Sequence, residues 1–156
     1  MSTSTITQEA VIEAPIVETP TMPDVIVKNR DIFLGVLRLT PESRRCTRSY
    51  FLPHWNTELD GTAPVQAACV LGLAYLTTGR VRNQHDWVRD IAIASLGISM
   101  EASMAIDEIN YGEDQTFAMT ADWLEANFAS DDPEWNRIPG EHEPVYPFVD
   151  EPIHFA

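Results

Sequence analysis

The sequence predicts an all-α fold, a compact bundle of about five helices with a short extended segment and irregular N- and C-terminal tails. Apolar residues recur at helical spacing between residues 28 and 129, and capping residues or Gly and Pro separate the periodic stretches. Prolines concentrate at both ends of the chain. We therefore expect a flexible N-terminal arm (1–27), a helical domain (28–129) and an acidic, Pro- and aromatic-rich tail (130–156). The apolar content of 44% is that of an ordinary globular protein.

The start of the domain predicts one helix and one extended stretch. Three prolines interrupt residues 1–24, which are therefore expected to form no helix. The first helix is expected over 29–39, with Asn29 as its cap and Pro41 as its stop. Residues 43–60 lose the helical period, and a short extended segment is predicted within them over 46–56.

A second helix is predicted over 64–78, with Pro64 in its first turn and Gly79 at its exit. Apolar residues cover most of its circumference, which is typical of a central buried helix. Gly72 lies inside it and is expected to let another helix approach closely. Its cost in helix propensity is about 1 kcal/mol.

Two further helices are predicted over 84–96 and 99–109. Gly97 separates them, and Ser99 caps the second. The apolar side of the first is expected to consist of Trp87, Val88, Ile91 and Leu96. That of the second is expected to include Met100, Met104 and Ile109.

The last helix is predicted over 117–128, after a polar turn at 110–115 that includes Asn110. Thr116 is its expected cap. The apolar stripe is the cleanest in the chain: Phe117, Thr120, Ala121, Leu124 and Phe128. Beyond Ser130 the tail has three possible fates: docking on its own domain, binding a partner as an acidic-aromatic peptide, or disorder.

Charge is strongly segregated along the chain, whose net charge is −14. Residues 91–156 hold fourteen acidic residues and one Arg, whereas nine of the ten basic residues lie between Lys28 and Arg89. Duplex DNA and anionic membranes both require a basic face, so direct binding to either is not expected. One basic patch is present, and the acidic tail is a candidate to lie over it: Arg38, Arg44, Arg45 and Arg48.

The location expected from the sequence is the cytoplasm of a bacterial host cell, with a virion as the alternative. The two cysteines, Cys46 and Cys69, do not make a disulfide framework, which fits a reducing compartment. No apolar run approaches the about 20 residues that cross a bilayer. The first 27 residues contain no Lys or Arg, so no secretory signal is expected.

Cys69 is the strongest candidate nucleophile, with His54 or His85 as a possible base. Its neighbours are apolar, however, and free cysteines are among the most buried residues. We therefore favour a core role for Cys69, and no catalytic residue is assigned.

The acidic stretch 107–114 raises the question of calcium. An EF-hand loop needs oxygen ligands at alternating positions, and Ile109 and Tyr111 interrupt that alternation. A solvated turn is therefore favoured. The four histidines are scattered and no phosphate-binding loop is present, so neither a metal nor a cofactor is expected.

The helical region resembles a group of small uncharacterised proteins of actinobacteria and their phages. In that group a Cys-aliphatic-Leu-Gly helix precedes an Asn-containing turn and a Thr-capped helix. The matching parts here are Ala68–Leu73, Ile109–Asn110 and Thr116–Phe117. The resemblance covers about 100 of the 156 residues and implies a helical fold in a phage or bacterial setting. It implies no activity.

Charge segregation without a catalytic motif indicates a non-enzymatic accessory or regulatory protein that binds another protein through an acidic surface. A basic protein is the candidate partner. The alternatives are an acidic nucleic-acid mimic that inhibits a DNA-binding host protein, a virion or assembly component, and a cysteine hydrolase using Cys69. The oligomeric state does not follow from the sequence. The residues expected to bind the partner are Asp107, Glu108, Asn110, Glu113, Asp114, Trp135, Tyr146 and Phe148.

Overall fold

The computed structural model describes residues 22–53, 64–80, 87–112, 115–128 and 145–156. Within those ranges it confirms the all-α class, because the elements are five helices, a 3₁₀ turn and one very short antiparallel ladder. The elements are α1 (Met22–Leu39), β1 (Phe51–Leu52), β2 (Ala67–Ala68), α2 (Val70–Thr77), α3 (Val88–Leu96), α4 (Met100–Tyr111) and α5 (Phe117–Phe128), with a 3₁₀ turn at Glu42–Arg44.

Helix α1 begins at Met22, well before the predicted start at Asn29. Pro23 does not prevent this, because a first-turn residue needs no N–H partner, and Asp24 suits the positive end of the helix. Asn29 is therefore not a cap. It lies inside the helix and is 1% exposed, on the buried stripe formed by Ile26, Asn29, Phe33 and Leu37.

Helix α2 is shorter than predicted, because the residues before it form a strand. Phe51 and Leu52 pair with Ala68 and Ala67, which confirms the predicted extended segment but removes Pro64 from any helix. Cys69 is the N-cap of α2, and its Sγ accepts a hydrogen bond from the Gly72 amide at 3.3 Å. Helix α2 contacts α1, α3 and α4, and is buried along almost its whole length.

Gly72 permits a close approach, but the neighbour is not a helix. A Cβ at this position would lie 2.1 Å from the main-chain oxygen of Tyr50. Only a residue without a side chain allows the strand β1 region to pass this close to α2.

Several boundaries of the last three helices follow the predicted signals, but α3 begins at Val88 and not at the predicted residue 84, because Trp87 has an extended backbone conformation. Gly97 ends α3 with a φ of 69°, in the left-handed region. Ser99 caps α4 by accepting from the Ala102 amide at 3.1 Å, and Thr116 caps α5 in the same way. Helix α4, however, extends through Tyr111, so Asn110 is helical and not part of a turn.

The predicted apolar faces of α3 and α4 are partly wrong. Trp87 precedes α3 and is 76% exposed, and Met104 is 58% exposed. Val88, Ile91 and Leu96 are buried as predicted, and the other buried residues of these faces are Ala92, Ala102 and Ile106. The exposed Met side chains belong to the outer surface of α4.

The described part of the tail, 145–156, packs on the helical domain. The amide of Phe148 donates to Asn29 Oδ1 at 2.7 Å, and Asn29 Nδ2 donates to the main-chain oxygen of Tyr146 at 3.0 Å. The Phe148 ring is 5% exposed and meets Phe33 edge-on, with centroids 6.0 Å apart. Phe148 is therefore a core residue and not a partner-binding one, and Tyr146 is half-buried beside it. Trp135 lies outside the described residues.

Candidate functional site: a polar pocket beside α4

A polar cavity of about 210 Å³ lies between α4 and the segment before β1. We call it the α4 pocket. It is lined by Thr47, Arg48, Ser49, Tyr50, Cys69, Arg89, Asp107, Asn110 and Tyr111. Three sequence-predicted residues of different types, Cys69, Asp107 and Asn110, thus come together here with Arg48 of the predicted basic patch.

The guanidinium of Arg89, which belongs to α3, lines the pocket and bonds to two side chains of α4. It forms an ion pair with Asp107 and donates to Ser103 Oγ at 3.1 Å and to the Tyr50 hydroxyl at 3.4 Å. Partial burial acts to lower the pKa of Arg89, but Tyr50 and Asp107 together raise it above its ordinary value. Asp107 is therefore committed to an internal contact and is not a free partner-binding carboxylate.

Asn110 locks the end of α4 to the segment before β1. Its Nδ2 donates to the Cys46 oxygen at 3.2 Å, and its own main-chain oxygen accepts from Arg45 Nη1 at 2.8 Å. Asn110 is 3% exposed, so it cannot be the surface residue that the sequence predicted. Within the part of the chain that the structure describes, its Oδ1 is the one buried side-chain oxygen or nitrogen without a hydrogen-bond partner.

The predicted basic patch is dispersed by internal contacts. Arg38 pairs with Asp122 and Glu125 of α5, at 3.0 and 2.6 Å. Arg45 pairs with Glu42 at 3.2 Å. The Arg38 pairs join the basic stretch to the acidic part of the chain after residue 91, so part of the charge segregation is neutralised within the domain.

Arg44 holds the end of the tail. It donates to the main-chain oxygens of Gln66 and Ala156, at 3.0 and 2.7 Å, and its guanidinium lies 5.2 Å from the centre of the Phe155 ring. The tail therefore meets the basic patch through backbone and aromatic groups. Of the four arginines only Arg48 is exposed without a hydrogen bond or ion pair to another described residue.

Cys69 has the properties of a core thiol. It is 5% exposed, and burial raises its pKa from 9.0 to about 12 although the Gly72 hydrogen bond acts in the opposite direction. The thiolate that attacks a substrate is scarce at such a pKa. The two proposed bases, His54 and His85, lie outside the described residues.

The remaining acidic candidates do not form a metal site in the described ranges. Glu108 is exposed on α4, and Glu113 and Asp114 lie outside those ranges. No group of three His, Cys, Asp or Glu side chains converges among the residues that are described.

The outer face of α4 carries an exposed apolar stripe, which we call the α4 stripe: Met100, Met104 and Tyr111. They are 38%, 58% and 60% exposed. At 3.6 residues per turn they lie within about 40° of one another around the helix axis. Glu101 and Glu108 are exposed along one side of this stripe. The α4 pocket opens beside it, because Tyr111 belongs to both.

Sequence reasoning missed Arg89, Tyr50 and Ser103. One signal was present: Ser99, Ser103 and Asp107 recur every four residues and so align on one face of α4. A row of polar residues on a helix face that is otherwise buried indicates that another element supplies a polar partner. Nothing local identifies that partner as Arg89, which comes from the preceding helix.

No helix in the described ranges is both long and apolar enough to cross a bilayer. Comparisons of the chain with protein-family models, with curated proteins and with solved structures gave no match.

Proposed function

We propose that this protein is a non-enzymatic accessory or regulatory protein that binds another protein through the α4 stripe and its acidic border. The observation that carries the proposal is the exposure of Met100, Met104 and Tyr111 on one face of α4. Methionine adapts its shape to a partner, and Tyr contributes a large contact area with a polar end.

The partner expected for this surface is a basic, amphipathic segment. Glu101 and Glu108 border the stripe and form no ion pair with any described residue. A net charge of −14 attracts a cationic partner at long range, while the apolar side chains supply the short-range contact. On the resemblance, we place this role in a bacterial host cell or its phage.

A nucleic-acid mimic is the less favoured alternative. Such a mimic needs a continuous array of free carboxylates, whereas Asp122 and Glu125 are paired with Arg38, and Asp107 with Arg89. The two functions differ in salt dependence. A mimic should lose affinity steeply as salt rises, and an apolar stripe should lose much less. A virion or assembly component would instead co-purify with particles.

The test is capture of partners from host lysate by the tagged protein, followed by titration of each identified partner. The M100Q/M104Q double variant should bind at least about tenfold more weakly, since burial of one Met contributes about 1.5–3 kcal/mol. M119Q is the matched control, because Met119 is 45% exposed but lies on α5. Equal binding by the wild type and M100Q/M104Q would exclude the α4 stripe as the contact surface.

A further inference from the structure

Helix α1 carries a second apolar face beside the one that it buries in the core. Four residues at helical spacing form it: Ile32, Gly35, Val36 and Leu39. They lie about 100° around the helix axis from the buried stripe that contains Phe33. Leu39 is 85% exposed, and Ile32 and Val36 are half-buried. Because the outer side of a surface helix is normally polar, this face is one that a partner is expected to cover.

A groove, which we call the α1 groove, lies between this face and residues 150–155 of the C-terminal segment. Ile153 and Phe155 line the groove and are half-buried, whereas His154 between them is exposed, which is the alternation of an extended chain. The main-chain amides of residues 153–155 donate to no other described residue. The backbone of this wall is therefore available to pair with an extended partner.

The floor of the α1 groove is open at Gly35. A Cβ at this position meets no neighbouring segment within 4 Å. Residues three before and four after it on the same helix face are Ile32 and Leu39, so an apolar group placed over Gly35 is flanked by both side chains.

The charged side chains that line the α1 groove are acidic. Asp150 and Glu151 are exposed and form no ion pair with a described residue. These two carboxylates and the net charge of −14 favour a cationic occupant. Residues 1–21 of this chain fit poorly, because they hold three Glu and no Lys or Arg, and a second copy of the chain is repelled by its own net charge.

From the apolar face, the open floor and the acidic rim together, we propose that the α1 groove binds a short extended segment of a partner protein that carries apolar side chains and a Lys or Arg. An apolar side chain lies over Gly35, and the cationic group pairs with Asp150 or Glu151. The α1 groove shares no residue with the α4 stripe, so this site stands if the role proposed for the stripe is wrong. Together with the α4 stripe, it lets the protein hold two partner segments at once.

The probe is a random peptide library displayed on phage and selected on the full-length protein, with peptides that also bind Gly35→Leu removed. Leu has a higher helix propensity than Gly and its Cβ has room, so Gly35→Leu should fold while its side chain fills the groove. The surviving peptides should contain apolar residues beside a Lys or Arg. They should bind Ala118→Leu as tightly as the wild type, because this control adds a Leu at an exposed position of α5.

The acidic rim is tested separately with the double variant D150N/E151Q. It should bind the selected peptides about three- to tenfold more weakly, as expected for the loss of exposed ion pairs, and the difference should shrink as salt rises. Asp90→Asn is the control, because it removes an exposed carboxylate from α3, and it should change the affinity by less than about twofold. The proposal is overturned if no peptide distinguishes the wild type from Gly35→Leu, if the selected peptides lack Lys and Arg, or if Asp90→Asn weakens binding as much as D150N/E151Q.

Two other occupants of the α1 groove give different results. If I16S/V17S in the full-length protein tightens the binding of the selected peptides, residues 1–21 compete for the groove. If sedimentation shows a wild-type dimer that Gly35→Leu dissociates, a second copy of the chain fills it. Either result overturns the proposal.

Discussion

Replacing Asn29 by Ala removes a buried side chain that makes two hydrogen bonds to the segment 145–156 and one to helix α3. Asn29 donates to the oxygens of Ser95 and Tyr146, both at 3.0 Å, and accepts from the Phe148 amide at 2.7 Å. The substitution keeps helix α1 intact, because Ala has the highest helix propensity. The three polar groups of the partners remain, and at least Phe148 loses its bond in a buried environment.

The expected loss of stability follows from these three bonds. Each contributes about 0.5–1.5 kcal/mol net, so the free energy of unfolding should fall by about 3 kcal/mol, and by more where a partner stays buried and unpaired. For a chain of this size this corresponds to a decrease in Tm of about 6–12 °C. The segment should also loosen around Phe148, although the bonds from the Tyr146 amide to Ser95 Oγ and from the Val149 amide to the Thr77 oxygen remain.

Urea denaturation measures the first effect, and hydrogen exchange of a peptide covering 145–156 measures the second. Asn127→Ala is the matched control: Asn127 is half-buried and makes one local bond, to the Trp123 oxygen at 2.7 Å. It should cost about 1 kcal/mol or less and leave exchange in the tail unchanged. A loss below about 1 kcal/mol for Asn29→Ala, with normal protection of the tail, would refute the reasoning.

Three further predictions concern the core and the surface. Gly72→Ala should destabilise the protein by about 1–3 kcal/mol in urea denaturation, because the new Cβ would meet the main-chain oxygen of Tyr50. Gly35→Ala is the control and should stabilise the protein by about 0.5–1 kcal/mol, because no atom lies within 4 Å of its new Cβ. A stabilising Gly72→Ala would contradict the packing. Iodoacetamide should label Cys69 far more slowly in the native protein than in urea, and rapid labelling of the native protein would count against its burial. The pKa of Cys69 is raised from 9.0 to about 12 in the folded protein, so the stability contributed by the neutral thiol is fully present below about pH 9 and is lost as the pH rises toward 12. The free energy of unfolding of the wild type should therefore fall more than that of Cys69→Ala over that range. Arg38→Gln should cost less than about 1 kcal/mol, since its carboxylate partners are largely exposed, and a larger loss in thermal unfolding would show that this cluster is more than a surface ion pair.

The elements that could be predicted from sequence are those with local signals. Helix α5 has its predicted bounds, because Thr116 satisfies the amide of Met119 and a regular apolar stripe follows. Gly97 and Ser99 locate the junction of α3 and α4 for the same kind of reason. In each case the determining contact lies within about one helical turn, where the sequence shows both partners.

The start of α1 and the start of α2 were predicted wrongly because the competing interactions are not local. Asn29 resembles a cap in sequence, yet its partners Ser95, Tyr146 and Phe148 lie far along the chain. Ala67–Ala68 resembles a helical turn, yet it pairs with β1. Tertiary hydrogen bonds override a weak local preference in both places.

The sequence by itself determined the helical class, the caps of the later helices and the burial of Cys69, because periodicity and capping act over a few residues. Only the tertiary structure decided what the charged and polar residues do. It brought Arg89 to Asp107, distributed the arginines of the predicted patch among separate partners, and placed Asn110 in the wall of the α4 pocket. The physical reason is that the partner of a charged group or an amide does not show in the sequence as a periodic pattern does. Its role depends on which distant group buries it or pairs with it.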